Sequence, residues 1–215
     1  MIENYIVFLK FLDEKLQKFF TLQKPYIMCK KGCALCCKDA QIPYSKIEMD
    51  YLMMGAWELS DKNKKIVAQN VQKILKAKAE FKGDKFVYEC PFLINNECSV
   101  YNFRGIICRT FGLLSIGEDG NVKIPFCCYK GLNYSNVMDF DTKKISSQKF
   151  KELGFENEPV GFNIGYEFLT DKDFEKTFKL EFGEKKPLID WFEPLNDKQF
   201  VVLSKNQDEK NVTQT

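Results

Sequence analysis

The sequence predicts an α+β fold, mostly α-helical: one domain organised around a cysteine-rich centre, with a β-hairpin and a C-terminal extension. Three observations predict it. Apolar residues recur at three- and four-residue steps through the first third of the chain. Two apolar runs flank a glycine-bounded turn near residue 118. Nine cysteines and no histidine gather in a few short segments of 215 residues.

Taken in order, residues 2–20 read as a helix, with Ile2, Ile6, Leu9, Leu12, Leu16, Phe19 and Phe20 on one apolar face. Pro25 ends it, and a loop bearing Cys29, Cys33, Cys36 and Cys37 follows. Ser45-Lys-Ile-Glu48 has the form of a capping box, so a helix begins there and runs to about Leu59. Ser60 or Asp61 caps the next helix, whose face is Ile66, Val67, Val71, Ile74 and Leu75, and Gly83 stops it. Asn95-Asn96 marks a turn between Cys90 and Cys98. Leu113–Ile116 and Val122–Phe126, joined by Gly117-Glu-Asp-Gly120-Asn, read as the hairpin, and its second strand leads into Cys127-Cys128. Helices are expected over 146–153 and about 171–183, the latter capped by Thr170. A short apolar helix at Pro187–Phe192 and a closing strand at Gln199–Leu203 follow. The organisation expected is a cysteine-cluster domain over 1–130, an extension over 131–205 packed on the same core, and a disordered tail over 206–215.

Composition narrows the function classes. A hydrophobic share of 45%, with 20 Phe and 9 Tyr, is ample for an ordinary core. Net charge is +2 with the signs interspersed, so neither nucleic acid nor a membrane surface is an expected partner. The first residues lack a basic segment, and acids interrupt their apolar stretch, unlike a secretory signal. No run reaches the ~18 apolar residues of a membrane span. The expected location is therefore cytoplasmic, where thiols stay reduced.

Thiolate is the soft ligand that selects zinc, copper(I) and iron–sulfur clusters. With no imidazole in the chain, a soft-metal site is built mainly from sulfur. Disulfides fit poorly. Nine cysteines cannot all pair within one chain. The neighbours Cys36-Cys37 and Cys127-Cys128 lie about 3.8 Å apart at Cα, below the usual ~4.4–6.8 Å of a disulfide. The candidate ligands are Cys29, Cys33, Cys36, Cys37, Cys90, Cys98, Cys108, Cys127 and Cys128. Two consecutive thiolates fit awkwardly on one mononuclear ion, so Cys36 and Cys37 serve different metals or one is not a ligand. Eight thiolates suffice for two four-thiolate sites or one polynuclear centre, formed when the 29–37 loop meets the later cysteines. Spacing leaves zinc and iron both open, because the ferredoxin run is not matched.

Of 32 basic residues only Arg104 and Arg109 are arginine, and both lie beside cysteines. A rigid guanidinium can orient and neutralise a thiolate cluster, or it can make an ordinary ion pair. Phe92, Tyr101, Phe103, Phe111 and Phe126 can shield the centre.

Cys29-x3-Cys33-x2-Cys36-Cys37, Cys90-Pro91-Phe92-Leu93, Cys98-Ser-Val-Tyr101-Asn-Phe-Arg104 and Cys108-Arg109-Thr-Phe111 resemble the CxxCxxCC cysteine-cluster proteins, a zinc- or iron-chelating, YkgJ-like family. The resemblance covers roughly residues 25–130. It implies that the cysteines are ligands of zinc or iron, with the last ligand near Cys127 or Cys128, and that Tyr101, Arg104 and Arg109 flank the site. Gly105 and Gly112 stand where the family usually has proline, and both are expected to loosen the backbone. Some members resemble flagellin lysine N-methylase. That implies an alternative: a protein-lysine methyltransferase using S-adenosylmethionine, with a protein substrate. The chain is short for such an enzyme and lacks a Gly-x-Gly-x-x-Gly loop. The leading expectation is a metal-binding protein with an all-cysteine centre, structural or electron-carrying, and in the latter case served by a redox partner. Without histidine no Ser/His/Asp or Cys/His catalytic pair exists.

Overall fold

Apolar periodicity and capping signals become helices in the computed structural model, which describes residues 1–39 and 41–193. In chain order these are α1 (Ile2–Leu22), α2 (Leu35–Lys38), α3 (Lys46–Trp57), α4 (Asp61–Glu80), α5 (Ile106–Thr110), α6 (Ser147–Glu152), α7 (Tyr166–Leu169) and α8 (Lys172–Phe178). The strands are short: β1 (Pro43–Ser45), β2 (Leu93–Ile94), β3 (Glu97–Cys98), β4 (Ser115–Ile116), β5 (Val122–Lys123), β6 (Met138–Asp139), β7 (Lys144–Ile145) and β8 (Lys185–Pro187). They pair antiparallel as β1–β8, β2–β3, β4–β5 and β6–β7, each pair a separate two-stranded sheet. The fold is α+β and mostly helical. No described helix is long and apolar enough to cross a membrane. The closing strand expected at Gln199–Leu203 and the tail expected over 206–215 lie outside the described residues.

The chain forms two compact units interleaved in sequence. The first comprises Met1–Cys36 and Ile106–Phe182; the second comprises Cys37–Gly105 and the segment that starts at Gly183.

In the first unit α1 buries Tyr5, Phe8, Leu9, Leu12 and Leu16. The expected stripe is thus rotated toward Tyr5 and Phe8, while Ile2 and Ile6 are only half-buried. The reason is aromatic. Phe8 meets Phe174, Phe178 and Phe182 edge-on, with ring centroids 5.3–5.8 Å apart, an arrangement rings prefer. A second cluster gathers Tyr26, Leu114, Cys128, Tyr134, Val137 and Met138. The β4–β5 hairpin forms as expected but is shorter. It is tied on by the Ile116 amide donating to the Phe162 carbonyl at 2.8 Å. Helix α8 is capped by Asp171, whose carboxylate accepts from the amides of Asp173 and Phe174. Thr170, the expected cap, is instead buried and donates to the Tyr166 carbonyl. The Thr170 hydroxyl is taken up by that carbonyl, one position before the cap.

In the second unit the capping box opens α3. Glu48 is fully buried and accepts from both the amide and the hydroxyl of Ser45, at 2.9 and 2.7 Å. Ser60 caps α4 by accepting from the Asn63 amide. Val67, Val71 and Ile74 of α4 are buried. The 188–192 segment is a 3₁₀ turn burying Leu188, Ile189 and Phe192. The Trp191 indole donates to the Tyr44 carbonyl, and Lys78 of α4 pairs with Asp190 and Glu193. The β1–β8 pair had no sequence signal, since both strands contain proline.

Candidate metal centre

All nine cysteines lie among the described residues and none is in a disulfide. The first unit holds Cys29, Cys33, Cys36, Cys108, Cys127 and Cys128; the second holds Cys37, Cys90 and Cys98.

In the first unit the 28–36 loop is shaped by backbone that runs through the left-handed region at Gly32 (φ 82°) and Ala34 (φ 50°). The Cys33 amide donates to the Lys30 carbonyl at 3.1 Å. This turn brings the thiols of Cys33 and Cys36 within electrostatic range of Cys29. Burial raises the Cys29 thiol, a hydrogen bond from Asn133 opposes that, and the thiols of Cys33 and Cys36 raise it further. Cys29 is exposed as a residue, yet its sulfur lies against the buried Asn133 amide, 3.2 Å from Nδ2.

Cys127 and Cys128 open onto different surroundings. Both sit in a 3₁₀ turn, Phe126–Lys130, where successive side chains point about 120° apart. Burial, with the nearby thiols of Cys29, Cys128 and Cys36, pushes Cys127 up to about 12. Cys127 therefore shares the surroundings of the 29–36 thiols. Cys128 is fully buried, its sulfur 3.4 Å from the Met138 sulfur inside the apolar cluster. Burial raises its thiol as well.

Asn133 was missed by the sequence reading. It is fully buried, its Oδ1 accepts from the Met28 amide at 2.8 Å, and its Nδ2 donates to the Gly112 carbonyl at 2.9 Å. A lone asparagine among turn residues carries no signal of this role.

Gly112, expected to loosen the backbone, does the opposite. Its φ of +100° is closed to proline, and a Cβ there would fall 2.7 Å from Asn133 Nδ2 and 3.3 Å from the Cys29 sulfur. Glycine is what lets the turn approach the thiol. Gly112, Phe111 and Phe126 also line a cleft of about 270 Å³ that borders the segments carrying Cys108 and Cys127.

In the second unit the Cys90 amide donates to the Cys37 carbonyl at 2.7 Å, and the Leu93 amide to the Cys90 carbonyl at 3.0 Å. Leu93 pairs with Cys98 across the β2–β3 hairpin. The turn at Asn95-Asn96 has φ of 53° and 59°, the left-handed pair of a tight hairpin turn. Gly105 is here too. Its amide donates to the Tyr44 hydroxyl at 3.2 Å, a bond proline cannot make, and a Cβ would fall 2.8 Å from Glu48 Oε1. It too is tightly held, not loosened.

The two arginines divide between the units. Arg109 is nearly buried, and its Nη1 donates to both carboxylate oxygens of Asp13 on α1, at 2.9 and 2.7 Å. It docks α5, and with it Cys108, against α1. Arg104 lies 3.5 Å over the Tyr101 ring and donates from Nε to the Tyr101 carbonyl at 2.9 Å. Of the expected shielding rings, Phe92 is buried, whereas Tyr101 and Phe126 are exposed.

The donor set of the first unit suits a soft metal: thiols without disulfides, several within electrostatic range, and a buried amide donor aimed at one sulfur. Among the described residues no three Cys, Asp or Glu side chains are gathered closely enough to enclose an ion. The thiols are neighbours in one unit and not a finished coordination shell.

No curated protein and no solved structure matches the chain. A family model described as "CxxCxxCC: Putative zinc- or iron-chelating domain" matches residues 28–128, which take in all nine cysteines. Over those residues, a little under half of its length, the chain is similar to the CxxCxxCC family of zinc- or iron-chelating domains.

Proposed function

We propose that this protein binds zinc or iron through cysteine thiolates, with Cys29, Cys33, Cys36 and Cys127 as one ligand set. The observation that carries the reading is the 132–133 turn: the Leu132 amide donates to the Cys127 carbonyl at 3.1 Å and the Asn133 side chain donates to the Cys29 sulfur at 3.2 Å, which brings the two cysteine segments to one place in a disulfide-free unit. Cys108, on α5 of the same unit, is a further candidate. Cys37, Cys90 and Cys98, tied by the Cys37–Cys90 backbone bond and the β2–β3 hairpin, are candidate ligands within the second unit.

Raised thiols keep their protons at neutral pH. Metal binding must displace them, so uptake releases protons and tightens as pH rises. When bound, the ion offsets the negative charge that would otherwise accumulate among the thiolates. The protein's own residues do the rest: Arg109 docks the Cys108 helix, Asn133 holds the Cys29 loop, and Gly112 lets the two segments approach. A structural or electron-carrying centre in a reducing compartment follows from this chemistry.

The test is anaerobic purification from iron-replete cells, followed by a visible spectrum and elemental analysis. Brown protein with iron and acid-labile sulfide assigns an iron–sulfur centre. Colourless protein with stoichiometric zinc assigns a structural zinc site. Protein that retains neither metal, and takes up neither when reconstituted in reductant, overturns the proposal.

A further inference from the structure

We propose that Asn133 is the positioning residue of the thiolate set: it aims a side-chain N–H at the Cys29 sulfur and fixes that sulfur as a ligand. The inference rests on the metal-binding reading above and deepens it. Four observations carry it.

Asn133 is fully buried, so each of its polar atoms requires a partner. Its contacts are with groups on two other segments. Oδ1 accepts from the Met28 amide at 2.8 Å, and Nδ2 donates to the Gly112 carbonyl at 2.9 Å and to Cys29 Sγ at 3.2 Å.

The amide has only one workable orientation. Reversed, its NH₂ would face the Met28 N–H and its carbonyl would face the Gly112 carbonyl, donor against donor and acceptor against acceptor. The two backbone groups thus force Nδ2 toward the sulfur.

The geometry serves both states of the sulfur. As a thiolate, Cys29 accepts from Nδ2; as a thiol, it can donate to Oδ1 at 3.6 Å.

The surrounding backbone is held to the same end. The Tyr134 amide donates to the Tyr26 carbonyl at 2.9 Å, so the 26–29 segment is pinned to 133–134 at two consecutive residues. Gly112 supplies the close approach, with room for no Cβ.

An N–H donor on a ligating sulfur lowers the charge density there and holds its direction. The loss of such partners typically costs about 10- to 100-fold in metal affinity. Asn133→Asp is the informative substitution. It keeps an acceptor for Met28 and nearly the same volume, but sets a carboxylate oxygen against the Cys29 sulfur and the Gly112 carbonyl.

The experiment uses cobalt(II) as probe on the full chain, under reductant. Wild-type protein is expected to show strong thiolate-to-cobalt absorption. Its absence overturns the parent metal-binding reading and leaves the Asn133 comparison without a basis, a result distinct from the ones that follow. With wild-type binding established, Asn133→Asp should weaken cobalt binding about 10- to 100-fold. In a Cys29→Ala background the same change should have almost no further effect, because its target sulfur is gone. Unchanged affinity in the wild-type background overturns the proposal. An equal loss in both backgrounds also overturns it, since Asn133 would then act only on folding. Should Asn133→Asp fail to fold, ¹¹³Cd-loaded wild-type protein decides: a scalar coupling between the metal and the Asn133 side-chain amide proton supports the proposal, and an assigned Asn133 amide without that coupling overturns it.

Discussion

Cys127 and Cys128 are adjacent in sequence and equivalent by any count of cysteines, yet they belong to different environments. Cys127 shares the electrostatics of the 29–36 loop, whereas Cys128 is packed against Met138, Tyr134 and Leu114. Their substitutions should therefore separate. Cys127→Ser is expected to lower metal stoichiometry or affinity while leaving the apo fold in place. Cys128→Ser, which puts a hydroxyl into apolar surroundings, is expected to cost about 1–3 kcal/mol of stability with metal stoichiometry unchanged. Elemental analysis and denaturant melts on the two variants read this directly. The opposite pattern would assign the ligand to Cys128. The two glycines at the family's proline positions argue similarly. From sequence they read as loosened turns. In the fold Gly112 occupies a left-handed conformation beside the Cys29 sulfur, and Gly105 spends its N–H on Tyr44.

At the scale of the element, sequence signals succeeded where the cause is local. The Ser45–Glu48 box, the Ser60 cap and the Asn95-Asn96 turn each depend on residues within four positions of one another. The Gly117–Asn121 turn is another local device, stiffened by Asp119. Its carboxylate accepts from the Asn121 amide and from Lys123 Nζ, at 3.1 and 2.9 Å. The bonds to Asn121 and then Lys123 lower its pKa from 3.8 to about 2. A depressed carboxylate adds hairpin order above its unfolded value, and that order is lost as pH falls through its folded value. Titrating the Asp119 carboxyl by NMR should give a midpoint near 2, not 3.8. In Lys123→Ala protein the midpoint should move back upward; an unmoved midpoint would remove Lys123 from the account. By contrast, the β1–β8 and β6–β7 pairs were not read. β1–β8 joins segments about 140 residues apart, and its strands hold prolines. β6–β7 is closed by Asp139 accepting from the Asp141 and Thr142 amides, in a stretch with no run of alternating apolar residues.

At the scale of the molecule, the interleaving of the units decides which cysteines are neighbours. Residues 1–36 share a unit with 106–182, so Cys29 and Cys127 are coupled across about 98 residues of sequence. Metal removal should therefore act unevenly. Chelation under reductant is expected to lower amide-exchange protection in residues 28–36 and 126–134, while α4, buried through Val67, Val71 and Ile74, keeps its protection. Uniform loss across both would mean that the ion supports the whole fold. The ample apolar complement argues for the local outcome.

The sequence by itself determined the chemistry. Nine thiols without an imidazole, spaced as the CxxCxxCC family spaces them, admit a soft-metal site and exclude histidine-based catalysis. It also determined the helices whose caps and apolar stripes are written within a few residues. Tertiary structure alone decided which thiols stand together, which of Cys127 and Cys128 faces them, and that a buried Asn133 attends Cys29. The physical reason is range. Ligand type and helix capping are properties of near neighbours along the chain, whereas burial and the direction of a side chain are set by segments that meet only after folding.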